Sequence, residues 1–330
     1  MAHGGLERSR RLPALGILLT QWHPELPTSG EWVKTNRLAL QALHMSEPTT
    51  TQSRVWLITG CSSGFGRALA LHLSTRGRRV IATARDPASL SEMSARFPET
   101  CRVFALDVTD SAQVKSVVAQ ATEAFGRIDV VVNNAGYGVV GAFEELGDEQ
   151  VARNFRTNFF GALEMIRATL PIFRTQGSGH IVNISAAAVI SNYPGFSLYG
   201  ATKWALEGAS ESLAAKLKPL GIKVTIVQPG PFRTDFIGRS IVRARNHIDE
   251  YDRTSGKFNR FLETMEGKQP GDPDKAAEAI VAAVESQTPP LRLVLGKYAN
   301  DKVRRKLADT ERELAAWQNV GLPTDFATNP

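Results

Sequence analysis

Apolar residues along this chain come in short continuous runs separated by amphipathic stretches of helix length. Val55 to Ile58, Arg79 to Thr83, Val103 to Leu106, Ile128 to Val132, His180 to Ile184, Ile222 to Val227 and Leu291 to Leu295 read as strands. Helical patterns lie between them: Arg67 to Leu73, a segment after Pro87, another opening at Asp110, Glu149 to about Phe173, one between Ile184 and Ile222, and Pro273 to Ser286. Runs that are apolar at nearly every position, rather than at alternate ones, predict strands covered on both faces. Helix-length crossovers between consecutive strands require parallel pairing. The pattern therefore predicts an α/β fold, a doubly wound parallel β-sheet flanked by helices, in one domain over residues 54–298.

The flanks differ from this body. Residues 1–53 carry Pro13, Pro24 and Pro27, a basic cluster (Arg8, Arg10, Arg11), and an apolar run from Leu12 to Leu19 that Pro13 interrupts. No small-residue cleavage site follows, so a signal peptide does not fit, and Glu25 and Glu31 argue against a transit peptide. The segment reads as a disordered N-terminal extension, with Met45 as the expected true start. Residues 299–330 read as a C-terminal helix and tail. A charged amphipathic helix over Asp301 to Gln318 is expected to pack on a neighbouring subunit.

Composition narrows the function classes. With 42% hydrophobic and 22% charged residues, the 330-residue chain has apolar mass for a real core. No run approaches the ~18 apolar residues of a membrane span. The formal charge of +6 is spread over scattered basic residues, which reads as solvated surface and not as a nucleic-acid footprint. Two cysteines, Cys61 and Cys101, make neither a disulfide framework nor a zinc site, and His72 and His180 lack ligand partners at metal spacing. The expected setting is cytoplasmic, with no metal.

Chemistry concentrates at strand ends. The first strand runs into Thr59-Gly60-Cys61-Ser62-Ser63-Gly64-Phe65-Gly66 and then a helix. Glycines there permit a tight turn and let backbone N–H groups approach a pyrophosphate at the helix N-terminus. Such a terminus also lowers a thiol pKa, so Cys61 reads either as an oxidisable thiol or as a small loop residue. Tyr199 and Lys203 are four apart in a helical stretch and share a face. A phenol with a pKa of about 10 is a poor base at neutral pH, and a neighbouring ammonium favours its ionised form.

The Thr59-Gly60-x-x-x-Gly64-x-Gly66 turn is followed by Asn133-Asn134-Ala135-Gly136 after the fourth strand. Then come Tyr199-x-x-x-Lys203 and Pro229-Gly230, with Thr234 four residues on. In order and spacing these resemble the motifs of the short-chain dehydrogenase/reductase family, from about Arg54 to Tyr298. The resemblance implies a Rossmann-type sheet and a nicotinamide cofactor held by Thr59, Gly60, Ser62, Ser63, Gly64, Phe65, Gly66, Asn134, Ala135, Gly136, Pro229, Gly230 and Thr234. Asp107 and Val108 would lie at the adenine. It implies Tyr199 as general acid in carbonyl reduction and base in alcohol oxidation. Lys203 would lower its pKa and bond the nicotinamide ribose. Asn158 matches the asparagine of a water-borne proton relay, and equally suits a helix-kinking or backbone-bonding amide. A homodimer or homotetramer through the helices carrying Asn158 and Tyr199 is implied, as is a mobile substrate lid over about 235–268.

Two positions need interpretation. The family's substrate-bonding serine lies 13 residues before the tyrosine, where this chain has Ala186. Ser185 precedes it and in a regular strand points to the other side. Either a bulge restores Ser185 to the site, the reading adopted, or the position is truly alanine and Ser191, Asn192 or Tyr193 substitutes. At the end of the second strand Ala84 stands where NAD enzymes place an acid, and Arg85 follows. Arginine suits a 2′-phosphate, so NADP(H) is expected; NAD(H), with Asp86 as the acid, is the alternative. The lid's Phe232, Phe236, Ile237, Ile241, Phe258 and Phe261, with Val140, Tyr193 and Phe196, suggest a hydrophobic carbonyl or alcohol substrate. The sequence thus reads as an NADP(H)-dependent oxidoreductase. Its rival is a dinucleotide-binding sensor that kept the fold and lost turnover.

Overall fold

The apolar runs are buried on both faces because helices cover both. The computed structural model describes residues 54–187 and 189–326, so the expectations for residues 1–53, including the start at Met45, lie outside the described residues. Its strands are β1 (Val55–Ile58), β2 (Arg79–Ala84), β3 (Cys101–Ala105), β4 (Val130–Asn133), β5 (Gly138–Val140), β6 (Gly179–Ile184), β7 (Ile222–Pro229), β8 (Ile241–Arg243) and β9 (Arg292–Leu295). Seven of them form one sheet in the order β3-β2-β1-β4-β6-β7-β9, and every pair in it is parallel. The helices are α1 (Gly64–Ser74), α2 (Ser91–Arg96), α3 (Ser111–Phe125), α4 (Asp148–Phe155), α5 (Gly161–Gln176), α6 (Ser197–Leu217), α7 (Phe236–Arg239), α8 (Lys257–Met265), α9 (Pro273–Glu285) and α10 (Lys297–Gly321).

Alternation along β1 shows how the two layers form. Trp56 and Ile58 pack with Leu69 and Leu73 of α1 and Ile280 and Val284 of α9. Val55 and Leu57 pack on the other face with Val114 and Val117 of α3 and Met165 and Phe173 of α5. Both faces demand apolar side chains, so no polar residue interrupts the strand. His180 on β6 is buried, with its Nε2 2.9 Å from Thr225 Oγ1. Burial lowers its pKa to about 3, so the ring stays neutral and structural.

Several boundaries move. β3 begins at Cys101 rather than Val103, because backbone pairing to β2 runs through Arg102, whose charge hides strand character. The guanidinium of Arg102 lies 5.5 Å from the centre of the Phe125 ring, where its charge is accommodated. The helix expected from Glu149 to Phe173 is α4 and α5 joined through a π-helical turn, Arg156–Phe160. The last helix begins at Lys297 and runs to Gly321, outreaching the expected Asp301 to Gln318, and from residue 310 onward its residues are exposed. The parallel pair β5–β8 was not legible, since three residues carry too little pattern. Among the described residues no helix is long and apolar enough to cross a membrane.

From β1 the chain steps outward to β2 and β3, then returns past β1 to β4. The strand order reverses there, and the crevice beyond the C-terminal ends of β1 and β4 is where such sheets bind ligands.

Candidate active site

Thr59, just past β1, ties the two sides of that crevice together. Its N–H and Oγ1 both donate to Val132 O, at 3.0 and 3.2 Å, and Oγ1 accepts from the N–H groups of Asn134 and Ala135 at 3.0 Å each. The Asn134 amide returns bonds to the carbonyls of Thr59 (2.8 Å) and Gly60 (2.9 Å). Gly60 has φ of +71°, and a methyl there would lie 2.9 Å from Ala135 Cα, so only glycine fits. Helix α1 opens immediately after. Its N-cap, Ser63, makes no side-chain capping bond, and the first turn carries no acid. Uncapped N–H groups at a helix start are a place for an anion, so the turn of Ser62, Ser63, Gly64 and Phe65 fits a pyrophosphate. Thr234 closes the far side: a methyl on Gly64 would sit 3.7 Å from its Cβ.

Beyond β4 the polar groups converge. The π-turn buries Asn158, whose Oδ1 accepts from Tyr137 N (2.9 Å) while Nδ2 donates to Tyr137 O (2.9 Å) and Thr202 Oγ1 (3.1 Å). Of the two expectations for Asn158, the backbone-bonding amide is thus directly visible. A methyl on Gly136 would lie 3.0 Å from Asn158 Oδ1 and 3.5 Å from Lys203 Nζ, so that glycine keeps a polar-lined gap open. Lys203 is buried, and its ammonium donates to Ile184 O at 2.8 Å. Desolvation lowers its pKa to about 8, against the pull of Glu207. Tyr199 lies one turn earlier on α6, with its ring centre 6.0 Å from Lys203 Nζ. Burial pushes the phenol pKa up, so the hydroxyl holds its proton.

Ser185 is the main correction. The ladder beyond β6 stays regular, with Ser185 N donating to Val227 O (2.8 Å) and Ala187 N to Pro229 O (2.9 Å). No bulge forms, and alternate side chains keep opposite sides. Ser185 Oγ donates to Glu207 Oε1 at 2.5 Å, away from Tyr199. Ala186 takes the other side, packed in one cluster with Phe196 and Tyr199. The proposed substitutes are engaged elsewhere or remote. Ser191 is exposed, the Asn192 amide closes its own turn onto Tyr193 N and Phe196 O, and the Tyr193 hydroxyl lies 2.6 Å from that of Tyr298. Among the described residues no hydrogen bond reaches the Tyr199 hydroxyl.

Four more expectations meet the structure at the crevice edges. Arg85 is exposed just past β2 and, among the described residues, pairs with no carboxylate, whereas Asp86 caps the turn Pro87–Leu90 by accepting from Ala88 N at 3.0 Å. Asp107 folds its own turn, its Oδ1 accepting from Thr109 N and Oγ1 at 2.9 and 2.7 Å. The Val108 side chain is buried against Gly161 in the core, so only its backbone can face a ligand. The Cys61 thiol is fully buried and bonded to Ile58 O, and burial pushes its pKa up to about 12; it is a packing residue, not an oxidisable one.

Residues 54–242 match the family model described as short chain dehydrogenase. The chain belongs to the short-chain dehydrogenase family. It is 39% identical over 276 residues to the oxidoreductase BOA17 of Botryotinia fuckeliana, covering 82% of this chain and 98% of that protein. It is 38% identical to the 3-ketodihydrosphingosine reductase of Bacteroides thetaiotaomicron, covering 74% and 88%. The crystal structure of a short-chain dehydrogenase from Streptomyces avermitilis superposes with a TM-score of 0.78 at 42% identity, covering 83% of this chain and all of that one.

In this dehydrogenase the segment 235–268 folds over Tyr199. Phe196, Ile237, Ile241 and Leu262 form an apolar cluster with Val140, Ala186 and Tyr199, joined by Tyr193, Phe236, Phe258 and Met265. One expected member is elsewhere, Phe232, which packs on Phe65 at 5.1 Å, and Phe261 sits at the cluster's rim, half exposed and stacked on Phe258. The base of the segment is fixed by β5–β8 and by Glu145, which accepts from Ala142 N (2.7 Å) and Ile248 N (3.0 Å). Sequence reading missed Glu207, Gln228 and Arg292 behind Lys203. The spacing of Tyr199, Lys203 and Glu207 at intervals of four was the available clue.

Proposed function

We propose that this protein is an NADP(H)-dependent carbonyl reductase acting on a lipophilic ketone or aldehyde. The observation that carries the reading is a Tyr199 side chain packed under an apolar cover with its ring centre 6.0 Å from the buried Lys203 ammonium, on a sheet whose first helix starts uncapped. When bound, a reduced nicotinamide supplies the hydride. Tyr199 gives its proton to the substrate oxygen as that oxygen gains negative charge. Lys203 stabilises the phenolate left behind and, with Asn158 and Gly136, lines the side where the ribose would lie. A phenol that burial holds protonated stands in the form that carbonyl reduction needs. Thr59, Gly60, Ser62, Ser63, Gly64, Phe65, Gly66, Asn134, Ala135, Pro229, Gly230 and Thr234 would hold the dinucleotide, with Asp107 at the adenine.

The cofactor preference rests on Arg85. Its guanidinium is unpaired among the described residues, Asp86 is occupied as a cap, and Ala84 offers no acid to a ribose hydroxyl. Arg85→Ala is expected to weaken NADPH binding about tenfold or more and to leave NADH binding nearly unchanged. Fluorescence titration with both cofactors checks this, and an equal loss for both would remove the argument for NADP(H). The reading as a whole is tested by NADPH oxidation across a panel of lipophilic aldehydes and ketones. Turnover on members of that panel is expected. Tight NADPH binding with no turnover anywhere would favour a sensor, with Ala186 as the reason.

A further inference from the structure

Glu207 lies one helical turn beyond Lys203 and two beyond Tyr199, on the same face of α6. Its carboxylate is 5% exposed and heavily bonded. Ser185 Oγ donates to it at 2.5 Å, Gln228 Nε2 lies 2.9 Å from both oxygens, and Arg292 Nε stands 3.4 Å away. Ser185 and Gln228 are neutral donors, which satisfy the carboxylate without cancelling its charge. Among the described residues the one cation in contact with it is Arg292, more than a third exposed, and its other end is engaged with Glu211 at 2.9 Å. Placing a carboxyl group this deep in a fold costs desolvation energy, which argues for a task beyond filling space.

The geometry assigns that task to the neighbouring lysine. We propose that Glu207 is a positioning residue for proton transfer: it clamps the end of β6 through Ser185 and supplies the counter-charge that keeps Lys203 an ammonium beside Tyr199. The clamp and the charge act at one place, because Ile184, whose carbonyl holds the Lys203 ammonium, immediately precedes Ser185. This rests on the reading of Tyr199 and Lys203 as the acid–base pair. It also accounts for Ser185, which serves the pair from behind and not the substrate from in front.

The charged and titratable groups around the pair are few. Tyr199, Lys203, Glu207 and Glu211 lie on α6, and Arg292 faces Glu207 from β9. Toward them β6 and β7 present the neutral Ser185 and Gln228, and the π-turn presents the neutral Asn158. Removing the negative charge lets the pair lose its proton sooner, and removing the positive one delays the loss. In Glu207→Gln the alkaline limb of kcat/KM for reduction is therefore expected to move down by about one pH unit, about a tenfold loss on that limb. In Arg292→Met the same limb is expected to move up.

Opposed shifts are a signature that a merely structural role would not give. NADPH affinity measured across the same pH range reads the charge of Lys203 without needing turnover. An enzyme inactive on every carbonyl would then sink the reductase reading while leaving this test intact. Limbs unmoved in both variants, with only a lower melting temperature, would overturn the assignment. If Glu207→Gln fails to fold, the milder Arg292→Met decides: an upward shift supports Glu207 as counter-charge, and an unmoved limb overturns it.

Discussion

Tyr199→Phe is expected to lower kcat for carbonyl reduction by about 10²–10⁴-fold, the range lost when a positioned general acid is removed. The change is clean because only the hydroxyl leaves. The ring keeps its packing on Phe196, at 5.1 Å between centres, and on Phe236 at 5.7 Å. The protein should therefore fold as before, and since the hydroxyl has no hydrogen-bond partner among the described residues, no bond is lost with it. NADPH affinity should stay within about threefold, because Lys203 and the glycine turn are untouched. Stopped-flow or steady-state NADPH oxidation, run beside a thermal melt, measures both quantities. A variant that turns over at the parent rate would mean that the proton comes from elsewhere, and Tyr199 would become a pocket wall.

Ala186→Ser is expected to raise kcat/KM, an unusual direction for a substitution at a buried site. Ala186 is buried and shares a cluster with Tyr199, so a serine there carries its hydroxyl to the side of the sheet end where the reaction is proposed. A donor aimed at the oxygen that gains charge contributes about 10²–10³-fold where it has been removed from other enzymes. Only part of that should appear on insertion, since the surroundings were not shaped for it, and a gain of about 10-fold or more is the expected result. On the proposed reading the parent enzyme has Tyr199 as its one donor, and slow turnover on simple ketones is the expected result. Kinetics on matched substrates decide it, with Ser185→Ala as a comparison that should act through the alkaline limb instead. A drop in kcat/KM for Ala186→Ser would show that the methyl is needed for packing under the substrate.

Much of the architecture was legible because burial on two faces writes itself into strand composition, as in Val55 to Ile58. The glycine turn, Asn134, Tyr199 and Lys203 stood out because in order and spacing they resemble the family's motifs, and the structure puts Tyr199 and Lys203 on one helix, α6. Ser185 was misassigned because a sequence does not show whether a strand end bulges, and two backbone bonds past Ile184 settled it. Glu207, Gln228 and Arg292 were missed because they lie on three separate elements, and only the parallel order of β6, β7 and β9 brings them together. β3 was shortened by Arg102, whose charge on an edge strand looks like the end of one.

The dependence on β9 has a consequence for how the enzyme is made. The match to the family model ends at residue 242, and every motif residue precedes that point. Yet Gly230 N is held by Leu295 O at 3.0 Å, and Glu207 meets Arg292 on β9. During synthesis the ribosome must release some fifty further residues before the loop that follows β7 finds its partner. A nascent chain therefore carries all its recognisable motifs well before that loop is anchored, and a message cut short near residue 290 would yield a chain with every motif and the loop after β7 left without Leu295.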